Sequence, residues 1–368
     1  MIQSIVIVGV GLIGGSLGLA WRKQNANLEI VGYDDPGVLE RALSLGAISE
    51  KALDLQTAVA GADVVVLAVP IRKVRRLLDE IAPAVRPSTI VTDVCSVKAP
   101  ILQYALDALP RGARFVAGHP MAGAEKGGVE NANAFLFENA TYVLCPPDEQ
   151  AARTFDQDYK EFIDLIQLTG ARVLVMDAER HDRIAANISH LPQLLAVVLM
   201  NHAATLNNED DAFLRLAAGG FRDMTRIASS PFDLWQDILL VNEDRILDAL
   251  SQFAASLQVI RNRLIERDYE DIGKAFEKAR KVRDTIPRDS KGFLHPLADV
   301  YVYAEDRPGE LLTITRTLYE EEINIKDIEL LKIREGAGGA FRLSFSNDAV
   351  ANAAVVALKA AGYTAYRL

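Results

Sequence analysis

The sequence predicts an α/β protein in three parts: an N-terminal doubly wound sheet, an all-helical middle and a small C-terminal βαββαβ unit. Three observations carry this expectation. Over residues 1–177, apolar runs of strand length alternate with amphipathic helical segments. From residue 178 to 284 the alternation gives way to an apolar period of helical spacing. After a polar stretch with Pro and Gly at 285–296, read as a linker, strands and helices alternate again over 297–368.

Composition narrows the classes of function. The chain has 368 residues, half of them hydrophobic, so several cores can form. Its formal charge of −10 repels nucleic acid and anionic membrane. An anionic ligand must therefore be held by a few local cations. Two cysteines, Cys95 and Cys145, cannot build a disulfide framework, which fits a reducing cytoplasm. The N-terminus has no basic region before its apolar run and does not read as a signal peptide; no apolar stretch is read as long enough to cross a membrane. No metal site is expected.

The first strand is SIVIV, residues 4–8, followed by Gly9, Gly11 and Gly14 in G-x-G-x-x-G spacing and a helix from about Leu12 to Arg22. A second strand, LEIVGYD, ends at Asp34, 20 residues beyond Gly14. Gly9 permits a tight turn, Gly11 clears the backbone for a pyrophosphate, and Gly14 lets helix and strand approach. Leu12 and Ile13 open the helix, whose N-terminal N–H groups and dipole favour phosphate. This is a Rossmann-type dinucleotide site. Asp34, with Asp35 beside it and no arginine immediately following, accepts from a ribose 2′-hydroxyl and repels a 2′-phosphate, so NAD is expected over NADP.

The next strands are ADVVVLAVP (62–70), STIVTDV (88–94), RFVAGHPM (114–121), ATYVLCP (140–146) and ARVLVM (171–176), the last reached by a helix over about 149–169. A parallel sheet places ligands at the carboxyl ends of its strands, so Val69 and Pro70 border the nucleotide. TDVCSVK (92–98) and GHPMAG (118–123) crowd polar residues at two more such ends. Ser96 offers a hydroxyl and His119 an imidazole suited to removing a hydroxyl proton at neutral pH. Lys98 is expected to pair with a carboxylate and Cys95 to serve packing.

GLIGGS (11–16), DVCSVK (93–98), GHPMAG (118–123), SHLPQ (189–193) and GGFRDMTRIASS (219–230) occur in an order that resembles the prephenate dehydrogenase family over about residues 1–290. The resemblance implies hydride transfer from prephenate to NAD with loss of CO₂, giving 4-hydroxyphenylpyruvate. It implies His119 as the catalytic base and Ser96 as the residue bonded to the substrate hydroxyl. It also implies a homodimer formed through the helical part.

In that part HDRIAANISHLPQLLAVVLMNHAA (181–204) carries apolar residues at 184, 188, 191, 195 and 198, with Pro192 expected to interrupt the helix. Further helices are expected at about 209–217, 222–228, 231–266 and 268–284, the third apolar enough to bury against a copy of itself. Arg222 and Arg226 stand four apart on one helix face. By resemblance Arg226 holds a substrate carboxylate through its planar fork, Arg222 reaches across the dimer and Trp235 lines the site. His190 is either a core histidine or a substrate contact. Gln193 stands where some relatives have a second histidine, which leaves prephenate against arogenate open. His181 and His202 receive no role.

The C-terminal sequence has a D-R-P-G turn at 306–309 and a Gly-rich hairpin at 336–339 and resembles an ACT domain. Pro308 and Gly309 open a helix whose N–H groups suit an amino-acid carboxylate, with tyrosine as the expected effector. Two other readings stand beside the dehydrogenase: an arogenate or dual-substrate cyclohexadienyl dehydrogenase, and a non-catalytic NAD-binding amino-acid sensor. A sensor need not keep Ser96, His119 and Arg226. A β-hydroxyacid dehydrogenase would commonly use a lysine on the helical part in place of His119.

Overall fold

Residues 2–123, 126–285, 297–334 and 338–367 are described by a computed structural model of the chain. Two units emerge, residues 1–275 and 276–368. The linker expected at 285–296 lies, but for Thr285, outside the described residues, as do residues 336 and 337 of the glycine-rich hairpin.

The first unit holds an eight-stranded sheet of β1 (Ser4–Val8), β2 (Glu29–Tyr33), β3 (Glu50–Lys51), β4 (Val64–Leu67), β5 (Ile90–Asp93), β6 (Arg114–Pro120), β7 (Thr141–Cys145) and β8 (Arg172–Val175). Its order is β3-β2-β1-β4-β5-β6-β7-β8. The order reverses beside β1, where the chain first winds outward one way and then the other, and this opens a crevice at the strands' carboxyl ends. Apolar runs such as Val64–Leu67 are fully buried because helices cover both faces. Trp21, on the helix Leu12–Gln24, donates from Nε1 to the Leu165 carbonyl at 2.7 Å, tying that helix to Lys160–Gln167.

The sheet departs from the all-parallel expectation at one place: β7 runs antiparallel to β6. A parallel return needs a long crossover, usually helical. Between these strands the described chain forms only the 3₁₀ turn Val129–Asn131. The single helix expected over 149–169 is two, Glu149–Asp158 and Lys160–Gln167, parted at Tyr159.

The helical part differs in its breaks. The chain runs Ala178–Ala185, a π turn at Ala186–His190, then Leu191–Asn207. Pro192 falls in the first turn of the last segment, where its missing N–H costs little, and the interruption is the π turn before it. Contrary to the expectation from sequence, the whole run Ala178–Asn207 is long and apolar enough to cross a membrane by length and composition alone. Its inner residues Ala186 and Leu191 instead pack with Ile246 and Ala249 in a protein core. The expected helix 231–266 is two helices, Phe232–Val241 and Glu243–Glu266, separated by buried Asn242. The expected helix 222–228 is Gly219–Thr225 followed by a 3₁₀ turn, Arg226–Ser229, so the two arginines do not share one α-helix.

The second unit contains β9 (Ala298–Ala304), helix Glu310–Glu320, β10 (Asp327–Arg334), β11 (Gly338–Phe345), helix Asp348–Ala360 and β12 (Ala365–Tyr366). Its sheet is antiparallel in the order β10-β11-β9-β12. Val300, Val302, Leu343 and Phe345 form its core with Ile314, Leu318, Ala354 and Leu358. This is the βαββαβ arrangement read from the alternation.

Candidate active site

A cleft of about 620 Å³ opens at the carboxyl ends of β1, β4, β5 and β6. Leu12, Ile13, Val69, Pro70, Ser96 and His119 line it from the sheet side, and Pro231, Asp233, Leu234 and Asp237 line it from the helical part. A smaller cavity of about 400 Å³, around Arg114 and Tyr159, lies at the opposite ends of the strands, away from the glycine loop.

The glycine loop is tight because it must be. Gly9 has φ +93°, and a Cβ there would stand 2.4 Å from the Ala68 carbonyl oxygen. A Cβ on Gly14 would stand 2.1 Å from the Gly9 oxygen, so larger residues would force helix and strand apart. A Cβ on Gly11 would meet nothing within 4 Å: the space above this turn is open. The helix starts with no side-chain cap, which leaves its first N–H groups for a ligand. Asp34 accepts from Val10 N and Asp35 N, both at 2.7 Å, and so sits against the loop with acceptor capacity to spare. These residues fit a dinucleotide. Asp34→Ala should weaken NAD binding and narrow its advantage over NADP, measured as the ratio of dissociation constants; an unchanged ratio would assign the choice to another residue.

The next two strand ends are bolted together under the cleft. Lys98 and Asp93 are fully buried and form an ion pair. Lys98 Nζ also donates to the Gly118 oxygen at 2.7 Å, while Asp93 accepts from Cys95 N at 3.0 Å and Gly118 N at 3.2 Å. A buried pair with its remaining valences satisfied holds the strands in one geometry. Ser96 and His119, at the ends of these two strands, both line the cleft. The expected carboxylate partner of Lys98 is Asp93, and Cys95 packs in the core at the cleft edge.

His119 is almost fully buried, and its Nδ1 lies 2.8 Å from Nε2 of His181. His181 Nδ1 in turn lies 2.7 Å from Asp182 Oδ1. Burial holds the His119 imidazole well below its usual pKa, and the nearby Lys98 ammonium, His181 and His190 push the same way. His119 is therefore neutral at neutral pH.

His190, Gln193, Trp235, Arg222 and Arg226 are not among the residues that line the cleft. His190 is fully buried at the end of the π turn, edge-on to Trp235 with ring centroids 6.0 Å apart. Asn242 Nδ2 stands 3.2 Å from its Nδ1, while His190 Nε2 and Trp235 Nε1 have no hydrogen-bond partner. Burial lowers the His190 pKa to about 4. Gln193 donates to the Ile227 oxygen at 2.9 Å, joining its helix to the turn that begins at Arg226. Arg222 donates to Ala217 O in its own segment. Neither arginine lines the cleft. In the second unit Pro308 and Gly309 are exposed at the start of helix Glu310–Glu320, and Gly309 has φ +93°.

Sequence reading missed His181, Asp182 and Asn242. The His-Asp pair in HDRIAA was visible, but nothing local says that it meets a strand end 62 residues earlier.

The chain is similar to known proteins along most of its length. A family model described as "Prephenate dehydrogenase, nucleotide-binding domain" matches residues 17–175, and one described as "Prephenate dehydrogenase, dimerization domain" matches 177–278. The chain is 37% identical over 350 residues to a prephenate dehydrogenase of Bacillus subtilis (strain 168), covering 95% of this chain and 93% of that protein. It is 33% identical over 291 residues to a cyclohexadienyl dehydrogenase of Zymomonas mobilis, covering 78% of this chain and 97% of that one. Among solved structures, prephenate dehydrogenase from A. aeolicus in complex with hydroxyphenyl propionate and NAD+ superposes with a TM-score of 0.70 at 30% identity, covering 78% of this chain and 99% of that chain.

Proposed function

We propose a function for this chain from one premise: it belongs to the prephenate dehydrogenase family. It is an NAD-dependent prephenate dehydrogenase, which forms 4-hydroxyphenylpyruvate for tyrosine biosynthesis. The observation that carries the chemistry is a neutral, buried imidazole, His119, in a cleft lined also by Ser96 and by Leu12 and Ile13, which open the helix after the glycine turn.

Gly9, Gly11, Gly14, Leu12, Ile13, Asp34, Val69 and Pro70 would hold NAD, which supplies the hydride acceptor when bound. Ser96 hydrogen-bonds the ring hydroxyl, and His119 takes the hydroxyl proton as hydride leaves the same carbon. Loss of the ring carboxylate as CO₂ makes the ring aromatic, which supplies much of the driving force. The protein is thus left mainly to position and to neutralise. Arg226 takes a substrate carboxylate; its turn packs against the helix that bears Gln193. His190, Gln193 and Trp235 form the wall behind, and Arg222 acts at the dimer interface. Exposed Leu234, Leu240, Leu247, Leu257 and Ile265 on the helices Phe232–Val241 and Glu243–Glu266 support a homodimer. Two unpaired cysteines support a cytoplasmic location.

The C-terminal unit, from residue 297 after a linker, we read as an ACT domain that binds tyrosine at Pro308–Gly309. Its antiparallel βαββαβ sheet and the turn with a helix start support this. The test is NADH formation with prephenate and with arogenate, each with and without tyrosine, on the full chain and on a chain ending near residue 292. Prephenate turnover is expected in both, with tyrosine inhibition weakened about 5–150-fold by truncation. A preference for arogenate would favour the cyclohexadienyl reading, and identical inhibition curves, with no tyrosine bound by the 296–368 fragment, would leave the C-terminal unit as an assembly element.

The pH dependence follows from His119. The base must be neutral, and its folded-state pKa lies well below 6.5. kcat/KM for prephenate should therefore hold as pH falls through 6.5 and decline only at lower pH. A decline centred at or above pH 6.5 would show an imidazole in ordinary solvent.

A further inference from the structure

We propose that His181 and Asp182 are positioning residues that fix the tautomer of His119, placing its proton on Nδ1 and leaving Nε2 bare toward the cleft. This rests on the reading of His119 as the base.

The Asp182 carboxylate is fully buried and accepts from Lys98 N at 2.7 Å on Oδ1 and from Ala99 N at 2.9 Å on Oδ2. These are the first N–H groups of the helix Ala99–Ala108, whose positive end favours a carboxylate there. An ionised carboxylate only accepts hydrogen bonds. The His181 nitrogen 2.7 Å from Oδ1 must then carry a hydrogen, so His181 Nδ1 is the donor. In a neutral imidazole the other nitrogen is an acceptor. His181 Nε2 faces His119 Nδ1 at 2.8 Å, so the hydrogen between the rings belongs to His119 Nδ1. The remaining His119 nitrogen, Nε2, keeps its lone pair, as a base requires.

The surroundings favour a neutral His119: Lys98, paired with Asp93, faces it from the β5–β6 side, and His181 and His190 face it from the helical side, with Asp182 bonded to His181. The ring planes are twisted 76° apart with centroids 5.1 Å apart, and the two nitrogens meet at 2.8 Å, as a single N–H···N bond requires. When the substrate's O–H bond breaks and an Nε2–H bond forms, the positive charge on His119 is shared through His181 with Asp182. Asn242 Nδ2 donates to the Asp182 carbonyl oxygen at 3.0 Å and braces the same turn.

In Asp182→Asn an NH₂ replaces one of the two accepting oxygens; held at the Oδ1 position, with the amide oxygen kept by Ala99 N, it faces His181 Nδ1 as a donor and leaves Lys98 N unpaired. His181 then carries its proton on Nε2, donates to His119, and leaves His119 protonated on the wrong nitrogen. kcat should fall about 10²–10⁴-fold with NAD affinity unchanged. His181→Leu, which removes the acceptor without touching the Asp182 clamp, should also lower kcat and move the acid limb of the pH profile. ¹⁵N NMR of the full-length, histidine-labelled protein should show His119 with an unprotonated Nε2 in the parent and a protonated one in Asp182→Asn. If Asp182→Asn does not fold, the parent spectrum and His181→Leu decide. A parent spectrum with His119 protonated on Nε2, or a normal kcat and pH profile in His181→Leu, overturns the proposal. If His119→Asn keeps normal turnover, the base assignment itself has failed; if His119→Asn is inactive while His181→Leu is normal, the relay alone has failed.

Discussion

His119→Asn is expected to lower kcat about 10²–10⁴-fold, the range for loss of a general base, while leaving the affinity for NAD intact. Asparagine is polar and fits the space, but it cannot take a proton at neutral pH. The affinity should survive because the groups assigned to NAD sit just past the ends of β1, β2 and β4 and at the start of the helix Leu12–Gln24, and the ion pair Lys98–Asp93 that bolts β5 to β6 does not involve the imidazole. Turnover is read from NADH formation with saturating prephenate, and NAD binding by titration of the same preparation. The melting temperature serves as a control, since the substitution also leaves His181 Nε2 without its partner. Near-normal turnover would remove His119 from the mechanism.

Arg226→Ala should raise KM for prephenate about 10–150-fold, the equivalent of a charge-assisted bond of about 1.5–3 kcal/mol, with little effect on KM for NAD. Prephenate is a dianion entering a chain of formal charge −10. Among the described residues lining the cleft, Arg72 is the sole cation, and it stands 3.8 Å from Asp237, with Asp233 also in the lining. Such a wall repels a dianion, so a cation from beyond the lining must compensate. Arg226 is the arginine in the GGFRDMTRIASS motif whose turn is braced by Gln193. If Arg226 instead only stabilises its turn, the variant will melt at lower temperature and its folded fraction will keep the original KM.

The cofactor half of the site was legible in the sequence because its determinants are local. Strand, glycine turn, helix start and acid occur within 31 residues, from Ser4 to Asp34, and hydrophobic period and glycine spacing report each directly. His119 and Ser96 were legible for a similar reason: polar residues clustered at the ends of apolar strands, where an open α/β sheet places ligands. The βαββαβ order of the second unit followed from alternation alone. Helix breaks were less legible. Asn242 parts two helices inside a continuous apolar pattern, and Pro192, the obvious breaker, sits harmlessly in a first turn.

Periodicity and glycine spacing thus determined which segments become strands and helices and which residues reach the crevice. Only the tertiary structure decided how those residues are held. The reversal of β7 goes with a connection whose described residues hold no α-helix, a property of loop geometry that no strand pattern encodes. The carboxylate that Lys98 meets was set by pairing β5 with β6. The contact of His119 with His181 and Asp182 joins a sheet edge to a helix 62 residues later. Side-chain identity and local period carry no information about such distant partners. They are fixed when burying both apolar faces leaves a single way to satisfy the polar groups trapped between them.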